Sequence, residues 1–102
     1  MDIEVVDAPE AHRFEARVDG AVAGFVDYRD RRDAIELVHT EVSPAFEGHG
    51  VGSALVRQVL DDFRSRGVAT IPTCPFVTEF IRRHREYLDV VVPRGRAKFD
   101  TD

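Results

Sequence analysis

Phe14, Ala16 and Val18 alternate with Glu15 and Arg17, the period of two that marks a strand buried on one face. Ile3 to Val6 forms a shorter strand ahead of it. Asp19-Gly20 follows, a pair that tolerates positive φ and predicts a tight hairpin into a strand from Ala21 to Tyr28. The charged run Arg29 to Asp33 is the next turn, and Ala34 to Val42 the next strand, stopping before Pro44. From Gly50 the period changes. Val51, Leu55, Val59 and Phe63 fall on one helical face, flanked by Val56 and Leu60, until Gly67 ends the helix. Val68 to Ile71 is short and β-branched and reads as a strand, parallel to its predecessor because a helix crosses between them. Pro75 suits a first helical position, so a second helix runs to about His84 with Phe76, Val77, Phe80 and Ile81 inward. Val90 to Val92 is the last predicted strand.

The pattern is an antiparallel meander followed by a β-α-β crossover, with no repeats or low-complexity segments. At 102 residues, 43% hydrophobic and 32% charged, residues 1–102 suit one folded α/β (α+β) domain. A net charge of -5 argues against a nucleic-acid partner, which needs clustered positive charge. The arginine pairs Arg31-Arg32, Arg82-Arg83 and Arg94-Arg96 are read as solvated surface. Cys74 is the single cysteine, which excludes an internal disulfide and suits a reducing compartment. No membrane span or leader pattern is visible near acidic Asp2 and Glu4, so the expected location is the cytoplasm. His12, His39, His49 and His84 lack ligand spacing, and no metal is expected.

The strand-to-helix junction carries the chemistry. Gly48, Gly50 and Gly52 alternate through it, and a glycine-rich junction turns backbone N–H groups and the positive helix end toward one concavity, suited to a phosphate or pyrophosphate. A Walker A loop is excluded, because no Lys precedes Ser53. A dinucleotide fingerprint fits poorly in glycine spacing, and three antiparallel strands come first. The bland alternative is a tight strand-to-helix turn with no ligand.

Val42-x-Pro44-x-x-Glu47-Gly48-His49-Gly50-Val51-Gly52 resembles the acetyl-CoA motif of GCN5-related N-acetyltransferases, V-x-P-x-x-(R/Q)-G-x-G-x-(G/A). The flanking His39-Thr40-Glu41-Val42 and the stretch from Cys74-Pro75-Phe76-Val77 to His84-Arg85-Glu86-Tyr87 resemble a minimal subfamily that contains little beyond this core. The resemblance implies a mixed, mostly antiparallel sheet of five to six strands with two main helices, splayed where pantetheine lies beside the strand ending at Val42. It also implies acetyl-CoA as cosubstrate, an amine acceptor, and a pyrophosphate held by backbone from Gly48 through His49, Gly50, Val51 and Gly52 to Ser53. Glu47 departs from the family's Arg or Gln. Its carboxylate is expected to point away from the phosphates.

Acetyl transfer needs a polarised thioester, a deprotonated amine and a proton for the leaving thiolate. Val42 is placed to offer its N–H to the carbonyl. Glu41 and His39 share a strand face and are candidate bases, directly or through water. Cys74, just before Pro75 at a helix start, is a candidate for a nucleophile that is acetylated first or for the proton donor to CoA; its bland reading is a small buried hydrophobe. Phe80 stands where relatives place a Tyr acid, with His84 and Tyr87 the nearest replacements. Few residues are left to recognise an acceptor, so that site is open, shared with a protein partner, or absent; absence would make the chain a CoA-binding module or sensor. A sheet edge left uncovered offers a second copy a place to pair.

Overall fold

Asp19 and Gly20 adopt φ of 50° and 82°, the left-handed pair of a tight hairpin, and the strands on either side pair from that turn outward. The computed structural model describes residues 1–100. Strands β1 (Glu4–Ala8), β2 (Arg13–Val18), β3 (Ala21–Asp30), β4 (Ile35–Val42) and β5 (Thr70–Pro72) form one sheet in sequence order. The first four are antiparallel. β5 joins β4 in parallel, because helix α1 (Val51–Arg66) carries the chain back across the sheet. Helix α2 (Pro75–Arg83) follows β5, with Pro75 in its first turn.

Phe14, Ala16, Val26, Tyr28 and Leu37 on the inner sheet face share one core with Leu55, Val56, Val59, Leu60 and Phe63 of α1. Burying each large apolar side chain of α1 contributes about 1.5–3 kcal/mol. Val77, Phe80 and Ile81 of α2 enter the same core, so both helices cover the same face. Gly67 ends α1 at φ 68°, where Val68 N–H reaches back to Phe63 O at 2.8 Å. Among the described residues no helix is long and apolar enough to cross a membrane.

Three expectations shift. The first strand is Glu4–Ala8 rather than Ile3 to Val6, in register with all of Arg13 to Arg17. The strand expected at Val68 to Ile71 is Thr70–Pro72, since Val68 is used in capping α1. Val90 to Val92 is not a sixth strand. Residues Arg85–Val90 wind into 3-10 turns, and Val91 makes only one parallel bridge, to Thr70. Pro93 cannot donate to a ladder and starts further turns, Pro93–Gly95 and Ala97–Phe99, which bring Phe99 into the core at 1% exposure.

Candidate active site

β4 and β5 part company after three residue pairs. Ile35, Glu36 and Leu37 pair with Thr70, Ile71 and Pro72. Leu37 O then accepts from the amides of both Thr73 (3.1 Å) and Cys74 (2.9 Å), and the chain turns into α2. From His39 to Val42, β4 keeps β3 on one side and, among the described residues, has no strand on the other. A bulge sits at that point. Tyr28 pairs with Leu37 and Asp27 with His39, which leaves Val38 extra on β4. Beyond the bulge Ser43 N–H donates to Ala23 O at 2.8 Å, so by strand alternation Val42 N–H turns toward the open side.

The open edge leads into the glycine junction. Pro44–Phe46 makes a single 3-10 turn, Gly48 and Gly50 take φ of 83° and 74°, and α1 starts at Val51. These conformations exclude most side chains on steric grounds, although a Cβ at either position would meet open space. Among the described residues no side-chain hydrogen bond caps the start of α1 at Gly50. Its ladder opens with Ala54 N–H donating to Gly50 O at 3.0 Å, which leaves the amides of the preceding turn without helical partners. The residues that carry them border a hollow of about 240 Å³ lined by Val42, Phe46, Gly48, Gly50, Ser53 and Phe76. Glu47 is exposed and borders the same hollow, while His49 is exposed on the junction. A larger hollow of about 370 Å³ lies between β1 and α1, where Asp7 and Asp62 border it. Two carboxylates stand there against the one of Glu47 at the junction, and that hollow has, among the described residues, no helix start to offset them.

The candidate acid-base residues divide between the two faces of β4. His39 and Glu41 lie on the outer face, 54% and 59% exposed, with Nε2 and Oε1 3.0 Å apart. Phe25 pairs with Glu41 across the ladder, and its ring centroid lies 6.4 Å from that of His39. Cys74 lies on the inner face at 2% exposure, where its Sγ is 3.3 Å from Thr40 Oγ1. It is the N-cap residue of α2, and its carbonyl accepts from Thr78 N–H at 2.9 Å. The structure therefore brings His39 to Glu41 but sets Cys74 apart from both. Thr40, inside the quoted motif, escaped attention in the sequence because its register was not known before the bulge was.

A sequence model described as GCN5-related N-acetyl-transferase matches residues 13–90, well over half of the chain. The chain belongs to this acetyltransferase family. Among solved structures, a GCN5-like protein from Staphylococcus aureus, determined by NMR, superposes with a TM-score of 0.66 at 24% identity, covering 87% of each chain. The ribosomal-protein-alanine N-acetyltransferase of Brucella melitensis biovar Abortus superposes with a TM-score of 0.54 at 26% identity, over 78% of this chain and 60% of that one. No protein of curated function matches.

In this N-acetyltransferase, Phe76 departs from the expected inward position. It is 42% exposed, with its ring against Gly52: a Cβ built on Gly52 would stand 2.7 Å from Phe76 Cζ. Helical spacing placed Phe76 beside Val77 on the apolar stripe, but the stripe of α2 is filled by Val77, Phe80 and Ile81. Tyr87 is buried, and its hydroxyl donates to Asp61 at 2.6 Å and accepts from Arg57 at 3.2 Å. Burial first, and then the Asp61 carboxylate, push its hydroxyl above the usual tyrosine range. It serves as a clamp between α1 and the turns after α2.

Proposed function

We propose that this family member transfers an acetyl group from acetyl-CoA to an amine, with the thioester lying in the gap between β4 and the start of α2. The observation that carries this reading is the continuity of the open edge of β4, from His39 to Val42, with the unpartnered amides of the junction that follows. Gly48, His49, Gly50, Val51, Gly52 and Ser53 supply those amides to the pyrophosphate, and Glu47 borders the phosphates at the rim. Val42 N–H polarises the thioester carbonyl.

The division of β4 between two faces supports a division of labour. The acceptor amine arrives over the outer face, where Glu41, assisted by His39, takes its proton directly or through water. Cys74 on the inner face returns a proton to the leaving CoA thiolate, or takes the acetyl group first as a thioester and passes it on. The reading includes one domain, residues 1–102, acting in the cytoplasm.

The test is acetyl-CoA incubated with the protein and a panel of amines, with CoA release and intact mass followed together. Amine-dependent CoA release supports transfer, and an added acetyl group on Cys74 selects the covalent route. The burial of Cys74 away from His39 and Glu41 favours a second reading, a module that holds acetyl-CoA without turnover. Saturating binding without CoA release from any amine, and no effect of Cys74→Ala beyond stability, would select it.

A further inference from the structure

Beside the end of β4 lies a further hollow, of about 230 Å³, to which Val22, Phe25, Val42 and Pro44 give apolar walls and Glu41 and Arg13 the charged groups. Val42 also lines the hollow at the glycine junction, so the two meet at that residue. Apart from Met1, the exposed large apolar side chains among the described residues are Val22, at 39%, and Phe76, at 42%. Val22 stands at this hollow and Phe76 at the junction. Exposed apolar surface gathered at two adjoining concavities is what binding sites present.

The charged groups of this hollow already have partners. Arg13 donates to Glu15 at 2.8 Å, and its Cζ lies 4.3 Å from the Phe25 ring centroid, so an ion pair stacked on an aromatic face closes one wall. Glu41 is 59% exposed, with His39 at 3.0 Å, and is the one carboxylate among the described residues lining the hollow. A ligand here therefore finds one place for a cation, at Glu41, and no counter-ion for a second. An anion would compete with Glu15 for Arg13. The rest of the ligand meets Val22, Phe25 and Pro44, where an uncompensated charge loses its hydration without replacement. The volume, about 230 Å³, is below the roughly 300–1,000 Å³ of sites for drug-sized ligands, so the ligand is short.

We infer that this hollow is the acceptor subsite and that it selects small primary monoamines with a neutral, apolar body. The inference rests on the reading of the protein as an amine acetyltransferase with the thioester at Val42, and it adds the class of acceptor. The amine nitrogen, seated at Glu41 beside Val42, bonds to the acetyl carbon as the C–S bond breaks. Glu41 takes the proton of the amine, and the CoA thiolate leaves and is protonated. The body of the acceptor rests on Val22, Phe25 and Pro44.

Initial rates of CoA release by the full chain with acetyl-CoA test it. The acceptors are n-pentylamine, 1,5-diaminopentane and 5-aminopentanoate, which share one length, and methylamine, which has no body. The kcat/KM for pentylamine should exceed that for each of the other three by about tenfold or more. Val22→Thr keeps the shape and adds a hydroxyl to the wall, and should lower the pentylamine-to-methylamine ratio about threefold. Phe25→Ala should lower that ratio about tenfold. Loss of folded protein would lower both rates and leave the ratio in place. Equal or higher kcat/KM for either doubly charged acceptor, or a ratio that neither variant moves, would overturn the subsite while leaving amine transfer standing. Transfer to no amine at all, with acetyl-CoA bound, would overturn the transfer reading, and the subsite with it.

Discussion

Thr40 and Cys74 meet across the gap where β4 and β5 separate, with Oγ1 and Sγ 3.3 Å apart. Thr40 comes after the Val38 bulge, which turns its side chain to the inner face; Cys74 is held by its own amide on Leu37 O. Thr40→Val keeps the shape and removes the hydroxyl. The expected stability loss is about 1 kcal/mol or less, because the thiol is a weak partner. If Cys74 works as acid or nucleophile, kcat should fall while KM stays level. Denaturant unfolding together with initial rates checks both; unchanged kcat would separate Thr40 from catalysis.

Gly50 illustrates a site where open space is not the constraint. A Cβ there would touch nothing, yet φ is 74°. Gly50→Val should therefore cost about 1–2 kcal/mol from backbone strain alone, in addition to closing the approach to the amides. Gly50→Asn, which tolerates the left-handed region, should cost less than half as much. Melting curves without ligand isolate the strain, and a thermal shift with acetyl-CoA reports the binding loss. A melting temperature for Gly50→Val equal to that of the unmodified protein would refute the strain argument.

The meander, the central helix and the parallel crossover were legible because each depends on local period and on glycine or proline at its ends. Asp19-Gly20, Gly67 and Pro75 all sit where those rules put them. The junction was legible for the same reason. The bulge at Val38 was not, since nothing in His39-Thr40-Glu41 shows which residue is skipped in pairing. That one residue decides that Thr40, and not Glu41, faces Cys74. Phe76 was illegible for another reason. Apolar spacing on α2 permits Phe76 to face either way.

The C-terminal turns were also missed, because residues 93 to 99 hold a single large apolar side chain amid Arg94, Arg96 and Lys98. Phe99 is nevertheless 1% exposed. Lys98 Nζ donates to Pro72 O and, at 2.9 Å, to Thr78 Oγ1, which ties the segment to the start of α2. Phe99→Ala should cost about 3–5 kcal/mol, as for a fully buried ring. Urea unfolding measures it directly, and a loss under about 1 kcal/mol would mean that the segment is not part of the cooperative core.

Glu15 gives the fold an acid-sensitive point on the outer sheet face. It is 6% exposed, and Arg17 first, then Arg13, hold its carboxyl below the usual range through hydrogen bonds of 2.8 Å each. The unfolded chain binds that proton near pH 4.3, above the folded value. Between the two values the unfolded state carries more protons, so stability rises with pH there. The contribution is complete above about pH 5 and disappears as pH falls through the folded value. Glu15→Gln should lower stability at pH 7 and flatten the acid limb. Unfolding free energies measured from pH 3 to 7 for both proteins should converge at the acid end; parallel curves would show that Glu15 does not carry the effect.

Gly52 and Phe76 form a pair in which the effect of changing Gly52 depends on whether the ring is present. Gly52 lies inside α1, where replacing Gly by Ala gains about 1 kcal/mol from propensity. Here the new Cβ would stand 2.7 Å from Phe76 Cζ, so the ring must move. The ring is 42% exposed and is free to turn outward, which limits the cost to about the same size as the gain. Gly52→Ala alone should therefore change stability by less than about 1 kcal/mol. With Phe76→Ala already in place the clash is gone, and the same substitution should stabilise by about 1 kcal/mol. A double-mutant cycle of unfolding free energies gives the coupling. Zero coupling would mean that the ring does not rest on Gly52 in solution, and Phe76 would then be free of the junction that it borders.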